Sequence, residues 1–202
     1  MGNAKRLGII GSAVGSSYAV LVAEQLFASG CQFLLSITSA GQIRPLGPPP
    51  YFVLIERALR DEGTSHHYAP PAEYSFADPV LLAKLRPYLS NLPEPIHMGA
   101  SWTTDAPFRE TEAAIASRRA DGIAAVEMEA AALYAFATAR DKPVICFAHV
   151  TNQMGRSEGD FEKGEADGTA AAIRVIAAVA GAWDEVRASL PKLGKTVTRG
   201  ED

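Results

Sequence analysis

Two carboxylates one residue apart, Glu127 and Glu129, close an apolar stretch that begins at Ile123, with Met128 between them. A carboxylate at the end of a buried strand offers a pair of acceptor oxygens, which matches a vicinal diol. Read more plainly, the same acids start a helix, where negative charge is favoured, and Met128 fills core. A second group lies in Gly99-Ala-Ser-Trp-Thr-Thr-Asp-Ala-Pro-Phe-Arg109. There Phe108 and Trp102 carry flat apolar rings, with Thr103, Thr104 and Arg109 as polar neighbours. The plain alternative is that Thr104 or Thr111 caps a helix and Arg109 is solvated. A third group is the run Gly11-Ser-Ala-Val-Gly15, where a glycine turn before a helix would aim backbone N–H groups at an anion. His66 and His67 are adjacent and would point to different sides of an extended segment, so no joint metal site is expected.

These residues need elements to hold them. Leu7–Ile10 reads as a strand, and Ser16–Phe27 carries apolar residues at helical spacing. Phe33–Ile37 reads as a buried strand running into the small cluster Thr38–Gly41, and the Pro/Gly-rich stretch 45–50 as a loop. Asp78-Pro79 is a helix start, with Asp as N-cap and Pro in the first turn. Pro95–Ser101, Ile123–Met128 and Val144–Thr151 are expected strands; Glu110–Ala120, Ala130–Arg140 and Ala170–Ala188 are expected helices. Alternation of this kind predicts an α/β fold, a single three-layer domain with a mostly parallel central sheet, because each parallel crossover needs a returning helix. Residues 1–193 form that domain and 194–202 a polar tail. The site then falls at the carboxyl ends of the strands, at Gly11–Gly15, Thr38–Gly41, Trp102–Arg109, Glu127–Glu129 and Thr151–Gln153.

Composition narrows the function. The chain has 202 residues, 48% of them hydrophobic, enough to bury one full core. Its net charge of −4 supplies no broad positive field, so nucleic acid is not an expected partner. Cys31 and Cys146 are the only cysteines and sit in apolar runs, which suits free thiols in a reducing cytoplasm. No segment approaches the ~20 apolar residues of a membrane span.

Four stretches together resemble the nucleoside phosphorylase superfamily, the purine and uridine phosphorylase family. They are Ala125-Val-Glu-Met-Glu-Ala-Ala-Ala-Leu-Tyr134, Gly99–Thr111, Arg60-Asp-Glu-Gly-Thr-Ser-His-His-Tyr68, and Gly11–Ser17 continuing through Gly41. The resemblance implies a glycosyl transfer in which a nucleoside is cleaved with phosphate as co-substrate, without cofactor or metal. It places Glu127, Met128 and Glu129 at the ribose, with Glu129 accepting from the 2′ and 3′ hydroxyls. It places Phe108, Thr104, Arg109 and Asn152 at the base, and Gly11, Ser39 and Gly41 at phosphate; Glu129 and Asn152 become the catalytic pair. It also implies a homo-oligomer, dimer or hexamer, in the cytoplasm.

Three departures from the family pattern bear on mechanism. Ser36 stands where family phosphorylases place an arginine that grips phosphate. Asn152 stands where purine-acting hexameric members and related nucleosidases place a proton-donating aspartate; Asn hydrogen-bonds a base but delivers no proton, leaving pyrimidine or oxo-purine specificity. The family's N-terminal portion, with a second phosphate loop, has no counterpart before Leu7. A hydrolytic nucleosidase and a non-catalytic nucleoside-binding protein therefore stand as alternatives.

Overall fold

A computed structural model describes residues 7–152 and 168–190; the expected tail at 194–202 lies outside them. In chain order the elements are α1 (Ser16–Ala28), β1 (Leu34–Gln42), β2 (Tyr51–Asp61), β3 (Tyr74–Phe76), α2 (Pro79–Leu89), β4 (Ile96–Thr104), α3 (Glu112–Ala120), β5 (Ile123–Glu127), α4 (Ala130–Arg140), β6 (Val144–Asn152) and α5 (Thr169–Ser189). They form one α/β domain with a central sheet flanked by helices. Local chemistry accounts for several boundaries. The Asp78 carboxylate accepts from the N–H groups of Val80 and Leu81, and Pro79 needs no donor partner at the start of α2. Thr111 accepts from Ala114 N–H and caps α3, while Asp141 ends α4 in the left-handed region.

The sheet runs β3-β2-β4-β5-β1-β6, and a further β2–β6 pairing closes it on itself. Its two longest ladders, β2 with β4 and β1 with β6, are parallel. Antiparallel contacts occur where β1 meets β5, β2 meets β3 and β2 meets β6. Because β1 crosses β5 only at Gly41–Gln42, the carboxyl ends of β1, β5 and β6 converge there: Gly41 pairs with both Val126 and Asn152. The end of β4 joins them through the Thr103–Glu127 pair.

Alternation along β4 divides the core. Ala100 and Trp102 enter a smaller apolar cluster with Ile115 of α3, whereas Ser101 and Thr103 point the other way, toward the start of α4. The larger cluster joins α1, α2, α4 and α5 to the strands, with the Phe33 and Trp183 rings stacked at 4.4 Å. Both cysteines are free, Cys146 buried and Cys31 half-buried. Among the described residues no helix is long and apolar enough to cross a membrane, and no group of three or more His, Cys, Asp or Glu side chains is placed to hold a metal.

Three local expectations change. Leu7–Ile10 is irregular rather than a strand, with Leu7, Ile9 and Ile10 exposed. An apolar run does not by itself supply the ladder partner that a strand requires. His66 and His67 lie in a short 3-10 turn, Ser65–His67, not an extended segment. The expected helix start at Glu110 moves to Glu112, because the Thr111 hydroxyl takes the cap.

Candidate active site

The turn between β5 and α4 carries both carboxylates. Glu127 ends β5 and is buried, and its four acceptor sites are all used. Oε1 accepts from Ser101 Oγ at 3.0 Å and Thr103 Oγ1 at 2.5 Å, and Oε2 accepts from the N–H groups of Glu129 and Ala130, each at 2.7 Å. A carboxylate offers about four lone-pair sites, so Glu127, expected beside the sugar, has none left for a ligand hydroxyl. Burial, with the Glu129 charge beside it, pushes the Glu127 carboxyl up to about 7; the Thr103 hydroxyl and the two N–H groups pull against that rise.

Glu129 is also buried but is differently occupied. Oε1 accepts from Gly15 N–H at 2.6 Å and Oε2 from Met128 N–H at 3.3 Å. Among the described residues that is one bond per oxygen, which leaves one lone pair on each, the number that two neighbouring hydroxyls would take. Gly15 reaches this position with φ of 89°, a conformation open chiefly to glycine. Ser16 fixes the approach of α1 by donating to the Met128 carbonyl at 2.7 Å. Met128 itself is half-buried between the two acids.

The phosphate candidates are distributed unevenly. Gly41 lies buried at the strand convergence, and Ser39 is exposed, its Oγ 3.3 Å from Thr151 Oγ1. Gly11 is exposed in the irregular segment ahead of Gly15. Ser36 is half-buried within β1, in register with Cys146. His149 is in register with Ser39, stacked on Phe52 at 4.2 Å; among the described residues its Nε2 has no hydrogen-bond partner, and burial pushes its pKa down.

Among the base candidates, Thr104 is buried at the end of β4, its Oγ1 accepting from Ala106 N–H at 3.1 Å. Phe108 and Arg109 sit on the 3-10 turn that follows, and Phe108 is fully exposed. Trp102 faces the opposite core, its Nε1 donating to Asp61 at 2.8 Å and Arg118 lying over its ring. Asn152 ends β6 opposite Gly41. The stretch Arg60–Tyr68 is a braced loop: buried Arg60 donates to Ser65 Oγ, Pro70 O and Ala69 O, and lies 3.2 Å from His66 Nδ1. Asp105 ties that loop to the end of β4 by accepting from Gly63 N–H at 2.9 Å.

Sequence reasoning did not assign Ser101 to the site and offered Thr103 only as a base neighbour. The usable signal was period-two alternation on β4 beside a strand ending in an acid.

The Glu127 environment sets a pH dependence for stability. A carboxyl raised in the folded state from 4.5 to about 7 binds more protons folded than unfolded between those values. Its stabilising contribution is therefore complete below the lower value and lost as pH rises through the upper one. Glu127→Gln removes the titration. Denaturant unfolding of wild type and variant should show wild type losing about 3 kcal/mol more across that window; parallel curves would contradict it.

The fold and the site define a class: an α/β protein with a buried carboxylate at a strand-to-helix turn, where several carboxyl strand ends meet. The chain belongs to the phosphorylase superfamily, whose family model matches residues 1–184; members are nucleoside phosphorylases or nucleosidases. Among curated proteins none matches the chain. Its fold is similar to that of uridine phosphorylase from Vibrio fischeri ES114 in complex with 6-hydroxy-1-naphthoic acid, with TM-score 0.71 and 20% identity over 85% of this chain and 71% of that one. A second structure of the same phosphorylase gives TM-score 0.70 and 20% identity, covering 85% and 72%. AMP nucleosidase from Bacteroides thetaiotaomicron VPI-5482 gives TM-score 0.66 and 19% identity, covering 86% and 70%.

Proposed function

We propose that the protein is an enzyme, a pentosyltransferase that cleaves the N-glycosidic bond of a nucleoside of uridine or oxo-purine type, with phosphate as co-substrate. The observation that carries this reading is the buried Glu129 carboxylate, anchored by two N–H groups and retaining one lone pair on each oxygen. Glu129 would take the 2′ and 3′ hydroxyls while Met128 packs against the sugar as oxocarbenium character develops. Phe108, whose ring is exposed, would stack on the base, and Thr104 and Arg109 would supply polar contacts to it. Asn152 would hydrogen-bond the departing base. Ser39, Gly41 and Gly11 would meet phosphate. Positioning and electrostatics would supply the acceleration without a cofactor.

Ser36, a neutral residue on β1, favours a second reading in which water replaces phosphate. Exposed Ile9, Ile10, Val14, Tyr18 and Leu21 support a homo-oligomer, dimer or hexamer, and free thiols suit the cytoplasm. The test is release of free base from purine and pyrimidine nucleosides with and without phosphate, in wild type and Glu129→Ala. Phosphate-dependent release that disappears in the variant is expected. Release without phosphate would favour the hydrolytic reading, and nucleoside binding without release under either condition would overturn catalysis.

A further inference from the structure

The first turn of α4 has no side-chain cap of its own: Glu129 is the N-cap residue and makes no capping bond. A helix start leaves N–H groups without intrahelical partners, and here they are satisfied from upstream. Glu127 Oε2 takes the N–H groups of Glu129 and Ala130, and Thr103 Oγ1 takes that of Ala131 at 3.0 Å. Thr103 and Ser101 in turn donate to Glu127 Oε1. Two hydroxyls on β4, one acid on β5, the N–H of Glu129 and the first two N–H groups of α4 thus form one buried network.

We propose that Ser101 and Thr103 are positioning residues that act through Glu127: their hydroxyls hold its ionised carboxylate on the α4 N–H groups and so aim Glu129 at the sugar diol. The inference rests on the sugar-binding reading of Glu129. The two oxygens of Glu127 respond differently to a proton. On Oε1 it displaces a hydroxyl donor, which must turn away or accept instead, so the two donated bonds oppose protonation there. On Oε2 it meets two N–H groups that cannot rotate, and one of those bonds must break. The β4 hydroxyls keep the charge in place and the turn closed, leaving Glu129 with the backbone that reaches Gly15 N–H. Among the described residues the titratable groups acting on Glu127 are Glu129 before α4, Tyr134 on α4 and Cys146 on β6. From β4 it meets only the two hydroxyls.

The experiment follows two signals across pH in wild type, Ser101→Ala, Thr103→Val and Thr103→Ser. One is the amide proton resonances of Glu129 and Ala130, which report their bonds to Glu127. The other is calorimetric affinity for uridine and inosine. Thr103→Val should move the amide titration to higher pH and weaken nucleoside binding about tenfold near neutrality. The loss should shrink as pH rises past the shifted midpoint, because Glu127 is ionised again. Thr103→Ser should restore both signals, and Ser101→Ala should show a smaller change in the same sense, which keeps the test decisive should the valine variant fold poorly. An affinity loss of the same size at every pH would mark a merely structural role and overturn the inference, as would an unmoved amide titration. Wild type that binds while Thr103→Val binds equally well also overturns it. Wild type that binds neither nucleoside overturns the sugar reading and, with it, this inference.

Discussion

Replacing Glu129 with glutamine should lower affinity for a ribonucleoside by about a hundredfold or more. Hydrogen bonds to a charged group contribute roughly 1.5–3 kcal/mol each, and two would be weakened together. Glutamine keeps the length and one acceptor for Gly15 N–H, so the fold should persist. Its amide nitrogen, however, is a donor where Met128 N–H already donates, and it offers no lone pair to the second hydroxyl. Titration calorimetry with uridine and inosine, alongside thermal unfolding, separates the two consequences. A hundredfold loss with a cooperative unfolding transition retained is expected; unchanged affinity would remove Glu129 from the sugar site.

The largest effect on stability is expected at Tyr134. Its hydroxyl donates to Ile55 O at 2.6 Å and accepts from Cys146 N–H at 3.0 Å. These groups lie where β2 and β6 part, just beyond the Leu54–Phe147 pair. The phenol thus completes a ladder that the diverging strands abandon, and burial holds its pKa well above the ordinary tyrosine value. Tyr134→Phe leaves a buried carbonyl and a buried N–H unpaired, at a cost of about 1–3 kcal/mol each. Global unfolding should be easier by roughly 2–6 kcal/mol and the melting temperature lower by roughly 5–20 °C for a chain of this size. A shift below about 1 kcal/mol would mean that the strands close the gap themselves.

Much of this architecture was legible because it rests on local chemistry. Asp78-Pro79 announced a helix start, the helical apolar spacing of Ser16–Phe27 announced α1, and the apolar run from Ile123 announced a strand, expected through Met128 and ending at Glu127. What was not legible depended on neighbours distant in sequence. Leu7–Ile10 has the composition of a strand, yet strand formation is decided by pairing. The three-residue β3 is too short to carry a periodic signal and exists only as the partner of Arg57–Leu59. His66 and His67 turn with a 3-10 segment because Glu62 accepts from the N–H groups of Thr64 and Ser65, and Arg60 braces the loop.

The site divides along the same line. The pair Glu127 and Glu129 could be picked out by residue type, but their different occupancies could not. The two acids look equivalent in sequence. Only the register that sets Thr103 against Glu127, and the packing of α1 that brings Gly15 to Glu129, separate the saturated carboxylate from the one with lone pairs to spare. Phe108 shows the converse: its type suggested a stacking ring, while its full exposure follows from a turn that composition does not reveal.

The central claim is that Glu129 recognises a vicinal diol, and calorimetry of wild type with uridine and with its 2′,3′-dideoxy analogue tests it most directly. The account predicts that the ribonucleoside binds about a hundredfold or more tightly, because the analogue leaves both free lone pairs of a buried carboxylate unpaired. Equal affinity for the two would contradict it.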